Sequence, residues 1–289
     1  MKQLLAASRP FSWVNTAYPF AAAYLMATQG RLDVTLVLGT LFFLVPYNLL
    51  MYGINDVFDY ESDLRNPRKG GIEGGLVERS QARVVHRRIL VACAVTVLPF
   101  LVWLLLVGSL AANLTLLLVV FLVVAYSAPR LRFKERPVLD SATSAMHFVG
   151  PALYALVLVG ADLGAPTVWP VLVAFVLWGM ASHAFGAVQD VRADREGGIG
   201  SVATVLGAHP TVVASTVAYV VAAVTLLAVP WPGWLAAVLP LPYAMNAAGF
   251  WSVRDDDCER ANRGWRRFLW LNLVTGFLVT MLLIAVGRG

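Results

Sequence analysis

Residues 34–63 read VTLVLGTLFFLVPYNLLMYGINDVFDYESD, an apolar stretch that ends in an asparagine and four acidic side chains. Its apolar part, 34–54, is long enough to cross a bilayer as a helix. We define the first motif as Asn55, Asp56, Asp59 and Asp63. A second motif, Asp190 and Asp194, ends another apolar stretch far downstream. Two carboxylate clusters at matching membrane-edge positions predict a site for divalent metal ions and a diphosphate.

The composition is that of a polytopic membrane protein. Of the 289 residues, 59% are hydrophobic and 13% are charged, which excludes an ordinary soluble domain. We predict an all-α polytopic fold, with nine transmembrane helices around a central cavity and no soluble domain between them. The nine apolar stretches cover 10–29, 34–54, 88–107, 110–127, 141–160, 168–188, 211–229, 233–250 and 268–287.

The positions of Lys and Arg predict the orientation, because cytoplasmic loops retain these residues during insertion. With the N-terminus in the cytoplasm, 20 of the 22 Lys and Arg residues are cytoplasmic, and only Arg31 and Arg288 lie outside. Nine spans then place the C-terminus outside. The net charge of +5 describes a basic face toward anionic lipid headgroups, so no nucleic acid is expected. We predict a multi-pass protein of the cytoplasmic membrane whose site opens to the cytoplasm.

Helix geometry brings the side chains of the first motif to one arc. At about 100° per residue, Asp59 and Asp63 lie about 40° and 80° round from Asn55, if the helix continues that far. Asp56 lies about 100° round, on the same side. The two acids of the second motif are four residues apart and share a face.

Carboxylates crowded in this way repel each other, and a divalent cation removes that penalty. Mg²⁺ binds through a few carboxylates together with substrate phosphates and water. The alternative is that both motifs are solvated loop charges. Acids at membrane depth are costly and usually functional, which favours the metal site.

These residues resemble the UbiA superfamily of intramembrane prenyltransferases, whose members have nine helices and two aspartate-rich motifs. The family's NDxxDxxxD is matched by the first motif and its DxxxD by the second. The resemblance covers essentially the whole chain and implies a single prenyltransferase domain over 1–289. It also implies Mg²⁺-dependent transfer of a prenyl group from an allylic diphosphate to an apolar acceptor. The implied metal ligands, of which the acids are also the catalytic residues, are Asn55, Asp56, Asp59, Asp63, Asp190 and Asp194.

Within the superfamily, three stretches look most like the lycopene elongase branch, which is thought to add dimethylallyl units to the ends of lycopene. They are SRPFSWVNTAYPF, NDVFDYESDLRNPRKGGIEGG and YSAPRLRFKERP. The family's Tyr-x-x-x-Lys motif is absent in that spacing, since Tyr126 is followed by Arg130 and then by Lys134. Glycines at 70–75 stand where quinone enzymes often have an Arg-Pro-rich stretch, which argues against a quinone acceptor.

Polar and basic residues would complete a clamp around the leaving diphosphate. For any single cation, the alternative is a role in membrane topology alone. The candidates are Asn55, Arg68, Lys69, Tyr126, Arg132, Lys134, Arg192 and Arg195.

Several other polar residues have two possible roles. If lycopene is the acceptor, its attack leaves a tertiary cation that must lose a proton or gain water. His183 or His147 could act as the base or guide water, or could pack between helices. Asn48 either lines the cavity or joins helices by hydrogen bonds. The run RDDDCER at 254–260 resembles half of a soluble prenyl synthase site, but a solvated, salt-bridged loop is the favoured interpretation.

Two other classes of protein share parts of this pattern. An ion-coupled transporter could bind cations through the same acids, but such sites usually lie near the bilayer midplane. A CDP-alcohol phosphotransferase would need DxxDGxxAR, and here Tyr60 follows Asp59. Among prenyltransferases, acceptors such as a quinone, a chlorophyll precursor or a lipid alcohol also stay open.

Overall fold

The computed structural model describes residues 2–60 and 79–288, and every regular element in these two ranges is a helix. The α-helices are α1 Lys2–Ala7, α2 Trp13–Ala27, α3 Val34–Leu44, α4 Pro46–Phe58, α5 Arg79–Val107, α6 Leu110–Ser127, α7 Leu139–Leu158, α8 Val168–Val188, α9 Val191–Glu196, α10 Val202–Leu206, α11 Ala208–Leu226, α12 Leu241–Ala248 and α13 Asn262–Arg288. Short 3₁₀ helices occupy Pro10–Ser12, Phe133–Glu135, Gly233–Val238 and Asp255–Ala261.

Seven helical stretches in the described ranges are long and apolar enough to cross a membrane. They correspond to seven of the nine predicted spans, with α3 and α4 together forming the second. The first predicted span is a 15-residue helix, α2, which contains Pro19. The eighth, 233–250, is a 3₁₀ helix followed by α12. Pro240 lies between the two helices and interrupts the segment, because proline has no N–H to continue a helix. The chain is thus an all-helical integral membrane protein, while nine spans and the sides of the termini stay predictions.

The second predicted span is broken at Pro46, and side chains repair the break. Helix α3 ends before Pro46, so the carbonyl oxygens of Phe43 and Leu44 have no helical donor. The Asn48 side-chain nitrogen donates to both, at 2.8 and 3.0 Å, and Thr16 Oγ1 from α2 donates to Phe43 at 2.6 Å. Such side-chain donors are what permit proline inside a membrane-spanning segment. Asn48 therefore has the hydrogen-bonding role that was one of its two predicted alternatives.

The turn between α2 and α3 is fixed by a small charged cluster. Asp33 caps α3 by accepting from Leu36 N at 2.9 Å, and that hydrogen bond holds the pKa of the Asp33 carboxyl below its usual range. Arg31 pairs with Asp33 at 2.8 Å, and its guanidinium lies 5.9 Å from the centroid of the Tyr24 ring. This end of α2 thus carries an arginine, a carboxylate and an aromatic ring in contact.

The described chain divides into two compact units. The first contains described residues of 1–132 and 147–161, and the second contains 133–146 and described residues from 162 onward. The core of the first unit is an aromatic cluster formed by Phe20, Phe42, Phe43, Tyr47 and Tyr154. Helix packing inside a membrane depends on close contact because lipid removes most of the hydrophobic driving force. The single domain over 1–289 stays a prediction.

The second unit has its own core, in which Tyr219 and Tyr243 are buried and pack with Trp178 and Phe268. Small residues allow the closest approach of its helices. A Cβ added at Gly179 in α8 would lie 2.8 Å from the Cβ of Ala145 in α7, nearer than side chains normally come. The contact fixes the distance between these helices near Ser141 and His183, one turn away.

Candidate active site

The first motif lies at the end of α4. Asn55 and Asp56 belong to its last turn, and Asp59 caps the helix with its backbone N–H bonded to Asn55 O at 2.9 Å. Asp59 is nearly inaccessible, with 2% of its surface exposed. Helix α4 thus ends at Phe58. The prediction that Asp63 shares a helical arc with Asn55 concerns a residue outside the described ranges.

Asp56 forms an ion pair that the sequence did not reveal. Arg9, from the segment between α1 and α2, approaches Asp56 with Nη2 at 3.1 Å from Oδ1. Its guanidinium also lies 4.4 Å from the centroid of the Tyr52 ring. Arg9 has a left-handed backbone, with φ of 48°, a conformation that is uncommon for a residue with a side chain. Strained backbone of this kind concentrates at functional sites.

Asp59 is paired with a second arginine, Arg132. Its Nη2 lies 3.5 Å from Asp59 Oδ1, and Arg132 has a positive φ of 39°. Both described acids of the first motif therefore have an arginine within ion-pair distance. Arginine presents a planar fork of donors that fits carboxylate and phosphate oxygens alike. Each of these arginines is chemically able to contact a diphosphate as well.

The asparagine of the first motif is oriented by a neighbouring helix. Asn55 Nδ2 donates to Ser127 Oγ at 3.2 Å, which leaves the amide oxygen as the atom suited to a metal ion. Tyr126 precedes Ser127 at the end of α6, and its ring meets the His147 ring edge-on with centroids 5.1 Å apart. Tyr126 and Asn55 thus lie on elements that are in direct contact.

The second motif surrounds the start of α9. Asp190 is the residue before the helix, and Asp194 N donates to Asp190 O at 2.8 Å, as in one helical turn. Side chains four residues apart on such a turn lie on one face. The backbone here is thus helical, as the predicted shared face of Asp190 and Asp194 requires.

The two arginines of α9 contact the acidic run 254–260. Arg192 pairs with Glu259, and Arg195 pairs with Asp255 and also donates to Thr204 O at 2.9 Å. These pairs confirm the salt bridges predicted for 254–260, but the run forms the 3₁₀ helix Asp255–Ala261 and not a loop. A role of Arg192 and Arg195 in binding diphosphate stays a prediction, and the contacts show that both arginines attach the second motif to the 3₁₀ helix Asp255–Ala261.

Asp255 also caps the N-terminus of α11, so replacing Asp255 tests its structural role. Its Oδ1 accepts from Ala208 N, at 2.6 Å, at the start of α11. Replacing Asp255 with alanine is expected to lower the free energy of unfolding by about 1 kcal/mol, the usual loss for a helix cap. Thermal unfolding in detergent would measure it. Asp256→Ala, a change at an exposed neighbour, is the matched control, and equal effects of the two would contradict the capping role.

The donor set suits Mg²⁺ shared with a substrate. Carboxylate and amide oxygens are hard ligands of the kind that Mg²⁺ prefers. Across residues 2–60 and 79–288, no three His, Cys, Asp or Glu side chains group closely enough to hold a metal ion alone. Two described carboxylates in the first motif are enough where phosphate oxygens and water supply the other ligands. The residues present fit a metal ion that binds together with a diphosphate.

The remaining candidates are only partly placed. Asp63, Arg68 and Lys69 lie outside the described residues. Lys134 lies in the 3₁₀ helix Phe133–Glu135 of the second unit. The first unit thus brings together Asn55, Asp56, Asp59, Tyr126 and Arg132, and the second contains both acids of its motif.

Sequence reasoning missed Arg9 as a site residue and did not consider Asp140. The only available signal for Arg9 was a cation directly before an apolar span, which topology alone explains. Asp140 is completely buried in the first turn of α7, where a carboxylate in a sequence looks like an ordinary helix start.

Comparison with known proteins adds a family and close relatives. The model of the UbiA prenyltransferase family matches residues 16–284. A protein of Corynebacterium glutamicum named lycopene elongase/hydratase is 50% identical over 286 residues, which are 99% of this chain and 98% of that protein. The C(50) beta-cyclic carotenoids biosynthesis protein LbtBC of Dietzia sp. (strain CQ4) is 57% identical over 282 residues, 97% of this chain. The match spans only 64% of the Dietzia protein's own length.

Solved structures share the fold at low sequence identity. A UbiA homolog from Archaeoglobus fulgidus, bound to GPP and Mg²⁺, superposes with a TM-score of 0.69 at 17% identity, covering 94% of this chain and 99% of that one. The apo structure of a UbiA homolog from Aeropyrum pernix K1 gives a TM-score of 0.60 at 18% identity and covers 96% and 97% of the two chains.

Proposed function

Because the chain belongs to the UbiA prenyltransferase family and is a prenyltransferase, we propose that it moves a dimethylallyl group from its diphosphate onto lycopene. The observation that carries this proposal is the 50% identity, over nearly the whole of both chains, to a protein named lycopene elongase/hydratase. Family membership also sets aside the ion-coupled transporter and the CDP-alcohol phosphotransferase.

We propose that the two acidic motifs hold Mg²⁺ and the diphosphate. The ligands would be Asn55, Asp56, Asp59, Asp63, Asp190 and Asp194. When bound, Mg²⁺ would neutralise and orient the leaving diphosphate as a Lewis acid. The binding of GPP and Mg²⁺ by the Archaeoglobus homolog supports this assignment.

Arginines of the first unit would supply the remaining positive charge. Arg9 and Arg132 are paired with Asp56 and Asp59, so they lie beside the carboxylates that would face the diphosphate. When the carboxylates bind a metal ion, each guanidinium can turn donors toward phosphate oxygens. The predicted contacts of Arg68, Lys69, Tyr126, Lys134, Arg192 and Arg195 with the diphosphate remain part of the proposal.

The acceptor and the cellular location are parts of the same proposal. Lycopene is favoured over a quinone, a chlorophyll precursor or a lipid alcohol by the relatives, and the glycines at 70, 71, 74 and 75 also argue against a quinone. The distribution of Lys and Arg supports a site that opens to the cytoplasmic side of the cell membrane.

The proposal is tested by supplying the reconstituted protein with Mg²⁺, dimethylallyl diphosphate and lycopene. Mass analysis of the extracted pigment should show one and two added five-carbon units, and EDTA should abolish both. An active preparation that elongates a different acceptor but not lycopene would keep the prenyltransferase and discard the carotenoid. Full activity in EDTA would contradict the metal site.

A further inference from the structure

A buried carboxylate, a serine and a histidine form a chain of contacts in the second unit. Asp140 and Ser141 lie in the first turn of α7, with 0% and 3% of their surfaces exposed. Ser141 Oγ donates to Asp140 Oδ1 at 3.4 Å and lies 3.2 Å from His183 Nδ1 in α8. Asp140 Oδ2 accepts from Val202 N at 2.8 Å. The contacts run from a fixed carboxylate to a half-buried imidazole.

The single hydroxyl hydrogen decides which nitrogen of His183 has the proton. A serine has one hydrogen to donate, and Asp140 as a carboxylate can only accept. If Ser141 gives that hydrogen to Asp140, it accepts from His183, and the imidazole proton then lies on Nδ1. Nε2 then has the lone pair of a base. The carboxylate would also favour the imidazolium that forms when Nε2 takes a proton.

Helix packing holds this arrangement in place. Gly179 is one turn before His183, and Ala145 is one turn after Ser141, so the close contact between Gly179 and Ala145 lies on the same seam. With these helices so close, the serine and the imidazole cannot separate without disturbing the packing. A histidine that only fills space between helices needs no such support from a buried acid, which is costly at membrane depth.

His183 lies at a position along α8 that suits removal of a proton from the tertiary cation at the end of the reaction. His183 precedes Asp190 by seven residues, a rise of roughly 10 Å along a helix. The tertiary cation carbon lies three bonds from the diphosphate oxygen that leaves, roughly 4 Å. Approach to a base adds about 3 Å. These two distances add up to about 7 Å, about 3 Å less than that rise, so the base reaches the cation if the leaving oxygen lies about 3 Å from Asp190 toward His183.

We propose that His183, oriented by Ser141 and Asp140, accepts the proton that ends the transfer of the prenyl group. The proposal rests on the proposed function. The carbon–oxygen bond of the donor breaks with its electrons on the diphosphate, and the terminal double bond of lycopene forms the new carbon–carbon bond. The resulting tertiary cation loses a proton from an adjacent carbon to Nε2 and becomes an alkene. Alternatively, water adds to the cation and passes its proton to Nε2, giving an alcohol.

The first test separates proton removal from donor binding. In single-turnover reactions, His183→Gln is expected to lower the yield of elongated pigment about 100-fold. Binding of dimethylallyl S-thiolodiphosphate with Mg²⁺ should be unchanged. The ratio of hydrated to unhydrated pigment should shift in the residual product, whereas a packing defect would reduce both equally. His209→Gln, at an exposed histidine of α11, is the matched control.

The second test concerns the positioning residues. Ser141→Ala should reduce turnover roughly tenfold or more, since it frees the imidazole to turn. Ser141→Thr keeps the hydroxyl and should restore the wild-type product ratio. Ser141→Ala leaves the Asp140 contact with Val202 intact, so its folding should be unaffected.

A third test needs no substrate. The ¹⁵N spectrum of protein labelled at its 4 histidines, with His183 assigned through His183→Gln, should show a proton on Nδ1. A proton on Nε2, or a wild-type rate and product ratio in His183→Gln, would overturn the assignment. If the wild-type protein makes no elongated pigment, the proposed function fails, and the role of the base falls with it while the tautomer is still observed.

Discussion

Replacing Asp59 with asparagine is expected to lower prenyl transfer by about 10³-fold, which corresponds to about 4 kcal/mol of transition-state stabilisation. Asparagine keeps the shape of the buried side chain but removes the charge that would bind Mg²⁺. The measurement is single-turnover formation of elongated pigment over a range of Mg²⁺ concentrations. Half-saturation should move to higher Mg²⁺ in the variant, because one of the carboxylate ligands is lost.

The control for Asp59→Asn must separate metal binding from folding. Arg132 loses its partner in this variant, but 29% of its side chain is exposed, so water can solvate the guanidinium. Thermal unfolding should therefore change little. Asp256→Asn changes an exposed acid of the run 254–260 and should keep full activity. A folded Asp59→Asn protein with wild-type transfer would refute the metal site, and an inactive Asp256→Asn would favour the acidic run instead.

Removal of the Arg9 side chain is expected to weaken donor binding with little change in folding. A hydrogen bond to a charged group contributes about 1.5–3 kcal/mol, so Arg9→Ala should raise the KM for dimethylallyl diphosphate roughly 10- to 100-fold. Arg9→Lys should recover only part of this because lysine lacks the fork and the planar contact with Tyr52. Steady-state kinetics at saturating lycopene would measure both variants.

The chain offers a close control for Arg9 at the other end of α2. Arg31 is also paired with an aspartate and also lies against a tyrosine, but it belongs to the turn between α2 and α3. Arg31→Ala should leave the KM for the donor unchanged. If both substitutions raise KM equally, Arg9 acts through general stability or charge and not through the diphosphate.

Most of the fold could be predicted because membrane helices leave long apolar stretches in the sequence. The predicted spans 110–127 and 168–188 match α6 and α8. Helix α5 already includes Arg79, nine residues before the predicted start of its span at 88, since basic residues can continue a helix out of the apolar layer. Hydrophobicity likewise does not report where Pro240 interrupts a segment whose composition is uniformly apolar.

The acids of the candidate site could be predicted from the sequence, but the ion pairs that these acids form could not. The spacing of the first motif predicts the proposed metal ligands because a helical turn places them together. The partners of those acids come from distant positions, as Arg9 is 47 residues from Asp56. The spacing of charges along the chain cannot indicate that Arg195 turns to Asp255, 60 residues away. These pairings depend on tertiary packing.

The repaired break in the second span has a consequence for how this sequence can diverge. Pro46 leaves two carbonyl groups in need of donors, and the amide of Asn48 supplies donors to both. An apolar residue at position 48 would leave the Leu44 carbonyl without this donor in the bilayer and Phe43 with Thr16 alone, and an amide there would be unnecessary in an unbroken helix. Positions 46 and 48 should therefore covary among relatives, with proline and asparagine kept or exchanged as a pair.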